Sequence, residues 1–512
     1  MYALTIAFTA AHHEPWRDEV VPMTLAKQVS SVGELWRVLR YEGHPILWYV
    51  VLRSTYLAFG TTAVMPIASV VIAVAAVVVF LTRAPLPLWL KTLFVFGYFP
   101  LYEYSVIARG NGLAMLLLFT FCALYARRGT HPVAVAATLA LLANTTVLGF
   151  LVAAVAGVMI AIDAAVARDR EAVAGGHYVA LAVYLVGMGH ALASNMPGTS
   201  AFPAQLNPHD LAPVATAFVQ AVANPVAHSA FMFWIPLPWL WVWLLCVLLL
   251  RRRPAQAAFL FLGLVGFELV FALVYPASPR HAGYVLLVVI ATIWLAHPWQ
   301  RPESDPGEGL ADRAERWTWR LLLVPLTLAL GYQVVLGAGY VVDDVQLEYS
   351  SSKRLAALIA ADPRLERAIV IGEPETLQQS LPYYRDNPIY LPQEDTFRAW
   401  MWSPSLSFSL SSGTSGPSTR NIAIGRRADY SLAELLSTAV ALRERHGVPV
   451  VMVLGWWVDG PEVQRAYVGT WFEQVFTVSP EARTAFLART EFLGRLRSAS
   501  FTDENYDVFV LW

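Results

Sequence analysis

HHEPWRDEVVP, residues 12–22, sets two histidines, three acidic residues and an arginine directly behind the apolar opening MYALTIAFTAA. What that stretch means depends on the chain around it. Of 512 residues, 57% are hydrophobic and 14% charged, and the mean hydropathy is +0.50, whereas an ordinary soluble domain is about 25% charged. This is the composition of a membrane protein. The 36 basic residues balance 37 acidic ones, so no positive excess points to nucleic acid as a partner. Cys122 and Cys246 fall inside apolar runs, where a thiol behaves as a small hydrophobe and reports no redox compartment.

MYALTIAFTAA is shorter than the roughly 20 residues of a spanning helix, so a tilted or clipped first helix is expected. No basic segment precedes it, which argues against a cleaved signal peptide. Further apolar runs lie at about 45–60, 63–82, 88–103, 112–126, 178–193, 229–250, 256–275, 282–297 and 320–341. The stretch 131–167 is too long for one span and predicts two helices broken near Asn144-Thr145-Thr146.

Arg127-Arg128, Arg168 to Arg170, Arg251 to Arg253 and the loop 301–320 fall on one side if the spans alternate. Arginine marks that side as cytoplasmic. Residues 12–44, 102–111, 194–228, the Ser278–His281 turn and everything beyond 342 then lie outside. Counting from the two ends leaves a mismatch of one crossing between 45 and 111. Segment 84–103, which opens RAPLPLWLK, is expected not to cross, leaving eleven crossings in a predicted range of 11–13 helices. The expected fold is a polytopic α-helical membrane protein: a multi-span catalytic domain over 1–342 and an extracytoplasmic α/β domain over 343–512. In that second domain Ala368–Ile371, Asn421–Ile424, Val448–Leu454 and Tyr506–Leu511 read as strands, and 351–366 and 431–446 as helices. Ser431 and Glu434 have capping-box spacing, and the Ser/Gly/Pro-rich stretch 403–419 reads as a loop. The domain holds no phosphate loop or cysteine/histidine cluster.

Polar groups beside a bilayer are costly, so the outer ones are candidates for function. Asp18 and Glu19 follow Arg17, whose charge favours an ionised carboxylate available as a base. Glu42-Gly43-His44-Pro45 precedes a helix start, where free amides favour an anion. Glu103 and Arg109 lie in YEYSVIARGN (102–111), and Arg280-His281 opens another helix; guanidinium suits a phosphate. Helix entry, snorkelling or solvation explains each of these equally well one at a time.

Together they carry a resemblance. Asp18-Glu19 in the loop after the first apolar segment, His44-Pro45 opening the next and the arginine of YEYSVIARG resemble the start of the GT-C glycosyltransferases, particularly the protein O-mannosyltransferase and aminoarabinose-transferase branches. Those branches carry His-Pro-Pro-Leu or His-Lys-Pro-Pro-Leu where this chain has His-Pro-Ile-Leu, so the resemblance is to the superfamily. It covers residues 1 to about 130 by motif and the rest by order of parts.

The resemblance implies a polyprenyl-phosphate-linked sugar donor and a glycan, lipid or protein acceptor at the outer face of the cytoplasmic membrane. Asp18 would be the general base, Glu19 its helper, and Arg109 the holder of the leaving phosphate. The reading of the residues themselves adds Arg17, Glu42, His44, Glu103, Arg280 and His281 as phosphate or sugar contacts. No cofactor is required; His12-His13-Glu14 offers ligand types for a divalent metal. A transporter or flippase of a lipid-linked or polar substrate is the rival, although no internal repeat of the kind common in transporters is visible.

Overall fold

In the computed structural model, residues 1–512 are described except 43–44, 168–174, 196–211, 228–234, 275–276, 297–309, 375–376, 393–394, 398–428, 469–471 and 498–503. His44, the 421–424 strand and the 403–419 loop therefore lie outside the described residues. The opening apolar stretch is α1 (Tyr2–His12), and two helices unforeseen in the following loop are α2 (Arg17–Gln28) and α3 (Val32–Glu42). Then come α4 (Leu47–Phe59), α5 (Val64–Arg83), α6 (Leu88–Val95), a π-helical turn at Phe99–Glu103, and α7 (Asn111–Tyr125). The long apolar stretch divides as α8 (Pro132–Ala143) and α9 (Val147–Ala167) around Asn144-Thr145-Thr146, the break read from the sequence. After α10 (Gly175–Asn195) and the unforeseen α11 (Ala212–Ala223) follow α12 (Trp239–Arg252), α13 (Pro254–Leu273), α14 (Pro279–Ala296) and the 37-residue α15 (Leu310–Gln346). Proline opens α8, α13 and α14, a position where its missing N–H costs nothing.

Among the described residues six helices, within α5, α9, α10, α13, α14 and α15, are long and apolar enough to cross a bilayer. Their outward faces carry rows of exposed large apolar residues, such as Ile67, Val71 and Val78 on α5 and Leu321, Val324, Leu328 and Val335 on α15. Contiguous apolar surface on this scale needs a lipid partner, not water. The chain is a multi-pass membrane protein. Between helices the packing is aromatic: Phe80, Phe94, Phe119 and Trp294 form one cluster with ring centroids 4.8–5.9 Å apart.

The expected non-crossing segment is the wrong one. Both ends of α4 touch the same end of the bundle: the Leu47 N–H donates to the Asn144 carbonyl at 3.1 Å, and Thr62 just beyond the helix donates to the Tyr383 carbonyl at 3.4 Å. Its Arg53 turns sideways to donate to the carbonyls of Ala26 in the last turn of α2 and of Val29 and Ser30 just beyond it. The 84–103 segment instead climbs through the bundle beside α15, with Gly97 against Gln333, Tyr98 against Gly337 and Tyr340, and Tyr102 5.4 Å from the Tyr340 ring. Hydropathy missed this because Gly97 and Pro100 break the segment into an eight-residue helix and a π turn.

Beyond α15 the chain forms α16 (Ser352–Ala361), the short α17 (Leu381–Tyr384), α18 (Leu432–His446) and α19 (Pro480–Arg489), with nine described strands: β1 (Ile369–Glu373), β2 (Ile389–Leu391), β3 (Thr396–Phe397), β4 (Asp429–Ser431), β5 (Val450–Leu454), β6 (Val463–Val468), β7 (Phe472–Thr477), β8 (Glu491–Leu496) and β9 (Tyr506–Leu511). The main sheet runs β3-β2-β1-β5-β9-β8, with β1 parallel to both β2 and β5; β4-β7-β6 form a second sheet. Residues alternate between the faces of the main sheet. Ile369, Ile371, Val450 and Met452 meet α18, while Val370, Val451 and Val453 meet α16. Ser431 and Glu434 cap α18 as their spacing predicts, and Gly447, at φ 66°, ends it.

Helices α8 and α10 approach closely because Gly187 faces Ala140; a Cβ at 187 would overlap the Ala140 side chain and backbone. Gly187→Val should therefore destabilise the bundle by about 1–3 kcal/mol, read as a lowered melting temperature in detergent, while Gly189→Val, at a position facing open space, should leave it unchanged.

Candidate functional site

Five helix ends meet at one end of the bundle: the C-termini of α1 and α15 and the N-termini of α2, α7 and α14. The opposite end holds Arg127-Arg128 and Arg251 to Arg253, and there Arg128 pairs with Asp163 and the Tyr125 hydroxyl donates to the same carboxylate at 2.9 Å. The charged groups singled out in the sequence come together where the five ends converge.

Asp18 stands in the first turn of α2, where the helix dipole favours a negative charge. Its Oδ2 accepts from Arg109 Nη1 at 2.6 Å and from Arg280 Nη1 at 3.2 Å, while Arg17 Nε lies 3.7 Å from Oδ1. Burial alone would push this carboxyl up, but the charges of Arg109, Arg280 and Arg17 outweigh it and hold Asp18 well below the ordinary carboxylate range. Three cations thus face one anion at a partly open position, with the Asp18 side chain 28% exposed.

Glu19 points the other way and is fully buried. Its Oε2 accepts the Ala108 N–H at 2.6 Å, and its Oε1 accepts the Trp16 N–H at 3.3 Å and lies 2.9 Å from His13 Nε2. The carboxylate therefore ties the loop carrying Arg109 to the turn carrying Asp18. Arg280 is set by a second tie, the Tyr104 hydroxyl donating to its carbonyl at 2.6 Å. Gly283 and Gly112 leave room for that tyrosine, since a Cβ at either would strike it. Tyr284 completes the link through hydroxyl contacts of 3.2 Å to Asn111 and 2.7 Å to Thr146. Four buried donors around this centre have no hydrogen-bond partner: Arg280 Nε, Trp16 Nε1, Trp48 Nε1 and the Tyr102 hydroxyl.

Asp18, Glu19, Arg17, Arg109 and Arg280 are thus brought together. Glu103 is buried in the π turn and accepts from the Tyr98 hydroxyl at 2.6 Å. The His281 Nδ1 lies 3.1 Å from both the backbone nitrogen and the hydroxyl of Ser278 at the entry to α14, with the ring stacked 6.0 Å from Phe271. Glu42 closes α3. The ligand types noticed in His12-His13-Glu14 diverge: His12 Nδ1 bonds the Phe8 carbonyl, both nitrogens of His13 face carboxylates, and Glu14 accepts from the Tyr349 N–H and Lys353. No group of three metal-ligating side chains converges among the described residues.

Sequence reasoning missed two supports. Asp344, at the end of α15, meets His13 Nδ1 at 2.9 Å. Glu504, far along the chain, accepts the Arg17 N–H at 3.0 Å together with hydroxyls of Ser350 and Ser380. Burial pushes the Glu504 carboxyl up. Nothing local marks either residue; only their pairing across hundreds of positions does.

Fold and site define a multi-pass helical membrane protein with an arginine-lined anion centre roofed by an α/β unit. The chain is similar to a solved structure of ArnT from Cupriavidus metallidurans bound to undecaprenyl phosphate, at 13% identity and a TM-score of 0.47, over 99% of this chain and 96% of that one. No family model and no curated protein matches it.

Because Asp18 titrates lower folded than unfolded, its contribution to stability is complete above the unfolded value of about 3.9 and is lost as pH falls below it. Wild-type protein should lose melting temperature on acidification below about pH 4 more steeply than Asp18→Asn; thermal melts in detergent across that range check this.

Proposed function

We propose that this chain is an integral-membrane glycosyltransferase, moving a sugar from a polyprenyl-phosphate carrier to an acceptor on the extracytoplasmic face of the cell membrane with inversion at the anomeric carbon. The observation that carries the reading is the convergence of Arg109 and Arg280 on one oxygen of Asp18. Two guanidiniums sharing one oxygen repel each other, and a phosphate, with more oxygens and more charge, satisfies both in fork geometry. The unpartnered Arg280 Nε adds a further donor. Arg127-Arg128 and Arg251 to Arg253 at the opposite end of the bundle support an outer position for this centre and for the α/β unit, by the positive-inside rule.

The site suits an ordered reaction. Before the donor arrives, Asp18 is a poor base because its arginines hold the charged form. When the carrier phosphate draws the guanidiniums to itself, Asp18 loses those partners and its proton affinity rises. An acceptor hydroxyl then attacks the anomeric carbon: the new C–O bond forms, the C–O bond to phosphate breaks, the proton passes to Asp18, and the electron pair leaves on phosphate oxygen beside Arg109 and Arg280. Fixed cations stabilise that developing charge most in the transition state. Trp16, Trp48 and Tyr102 offer donors to sugar hydroxyls.

Asp18→Asn should lower turnover by on the order of 10²–10⁴ with little change in donor binding, whereas Arg109→Lys should weaken donor binding because an ammonium cannot make the paired fork. Mass spectrometry of lipid and polymer fractions from cells with and without the active protein provides the readout. A sugar lost from one fraction supports the assignment; an unchanged glycan inventory alongside a mislocalised solute would overturn it in favour of transport.

A further inference from the structure

His13 ends α1, and neither nitrogen of its ring meets water. Nε2 lies 2.9 Å from Glu19 Oε1, Nδ1 lies 2.9 and 3.1 Å from the two oxygens of Asp344, and the side chain is 2% exposed between carboxylates that are fully buried. The Tyr349 ring covers it with centroids 4.6 Å apart. A neutral imidazole carries one N–H and one lone pair, and a lone pair turned toward a buried carboxylate is repelled. Both nitrogens are therefore donors, and the ring is a cation between two anions. Burial pushes the imidazole down, but Glu19 and Asp344 overcome it and raise its value to about 10. Other ionisable groups that stand around these two carboxylates are the hydroxyls of Tyr349, Tyr102, Tyr383 and Tyr384 and the Glu103 carboxyl.

The consequence reaches the reaction centre through one side chain. Glu19 follows Asp18 in sequence and fixes the N–H of Ala108, which precedes Arg109. A single carboxylate thus holds the backbone on both sides of the Arg109–Asp18 pair, and His13 holds that carboxylate. We infer that His13 is a positioning residue: clamped between Asp344 and Glu19, it fixes the register of the Arg109 loop against the first turn of α2 and so the alignment of the arginine pair that receives an anion. The inference uses the glycosyltransferase reading only for the identity of that anion. Without His13, the buried Glu19 and Asp344 would face each other with no cation between them; Glu19 would swing away, and the Ala108 N–H would lose its acceptor.

The test uses the full chain in nanodiscs, titrated from pH 7 to 10.5 with two probes, inorganic phosphate and a short-chain isoprenyl phosphate. His13→Gln, which remains uncharged, should elute and melt as a folded protein yet bind both probes weaker by on the order of tenfold to a hundredfold, the scale of a misplaced binding group. Adding Glu19→Gln to it should cause no further loss, since both act through one link. Wild-type binding should decline as pH approaches 10, and Asp344→Asn, which keeps a hydrogen-bond acceptor but halves the compensating charge, should move that decline lower by at least one pH unit. Folded His13→Gln binding like wild type, or an Asp344→Asn profile superimposable on wild type, would overturn the inference. Should His13→Gln fail to fold, the Asp344→Asn profile decides alone. Wild-type protein that binds inorganic phosphate but ignores the isoprenyl phosphate would sink the carrier assignment while leaving the positioning role measurable.

Discussion

Two guanidinium groups on one carboxylate oxygen is the arrangement on which the rest of this molecule turns. Arg109 and Arg280 come from helix starts more than 170 positions apart, and both end within 3.2 Å of Asp18 Oδ2. Like charges do not gather unless packing forces them. Here the force is supplied by Glu19 on the Ala108 N–H, Tyr104 on the Arg280 carbonyl and Tyr284 on Asn111. On the proposed reading, a multivalent anion between the two guanidiniums relieves their mutual repulsion.

The helix ends explain why the centre sits at the rim of the bundle and not in its middle. Apolar spans bury their lengths against one another and against lipid, so the unpaired backbone groups and charged side chains collect where helices stop. The α2–α4 region covers that rim without entering the bundle, with Arg53 of α4 satisfying the carbonyls at the end of α2. Above it, Glu504 reaches down to the Arg17 N–H and ties the α/β unit to the residue next to Asp18.

Much of this was legible in the chain. A mean hydropathy of +0.50 and the spacing of arginine turns define a multi-pass protein, because the bilayer sets helix length and burying charge in it is costly. The break at Asn144–Thr146 and the cap at Ser431 are local features with local causes, and each formed where its residues stand. Asp18, Arg17, Arg109 and Arg280 are readable as candidates because a charge next to an apolar run needs a reason. His13 was visible only as a ligand type, since the sequence around it contains Glu19 but not Asp344.

What the tertiary structure decided is everything that depends on distance between remote segments. It made 84–103 the traversing segment and α4 the one that stays at the rim, a choice that hydropathy cannot make because both stretches are apolar and both are interrupted. It turned Glu19 inward and Asp18 outward on the same helical turn, giving adjacent carboxylates opposite tasks. It also recruited Asp344 and Glu504, which carry no local signal because a hydrogen bond between residues 13 and 344, or 17 and 504, leaves no trace in the sequence near either partner. Composition and periodicity reflect the solvent each residue needs; only packing determines which residues share it.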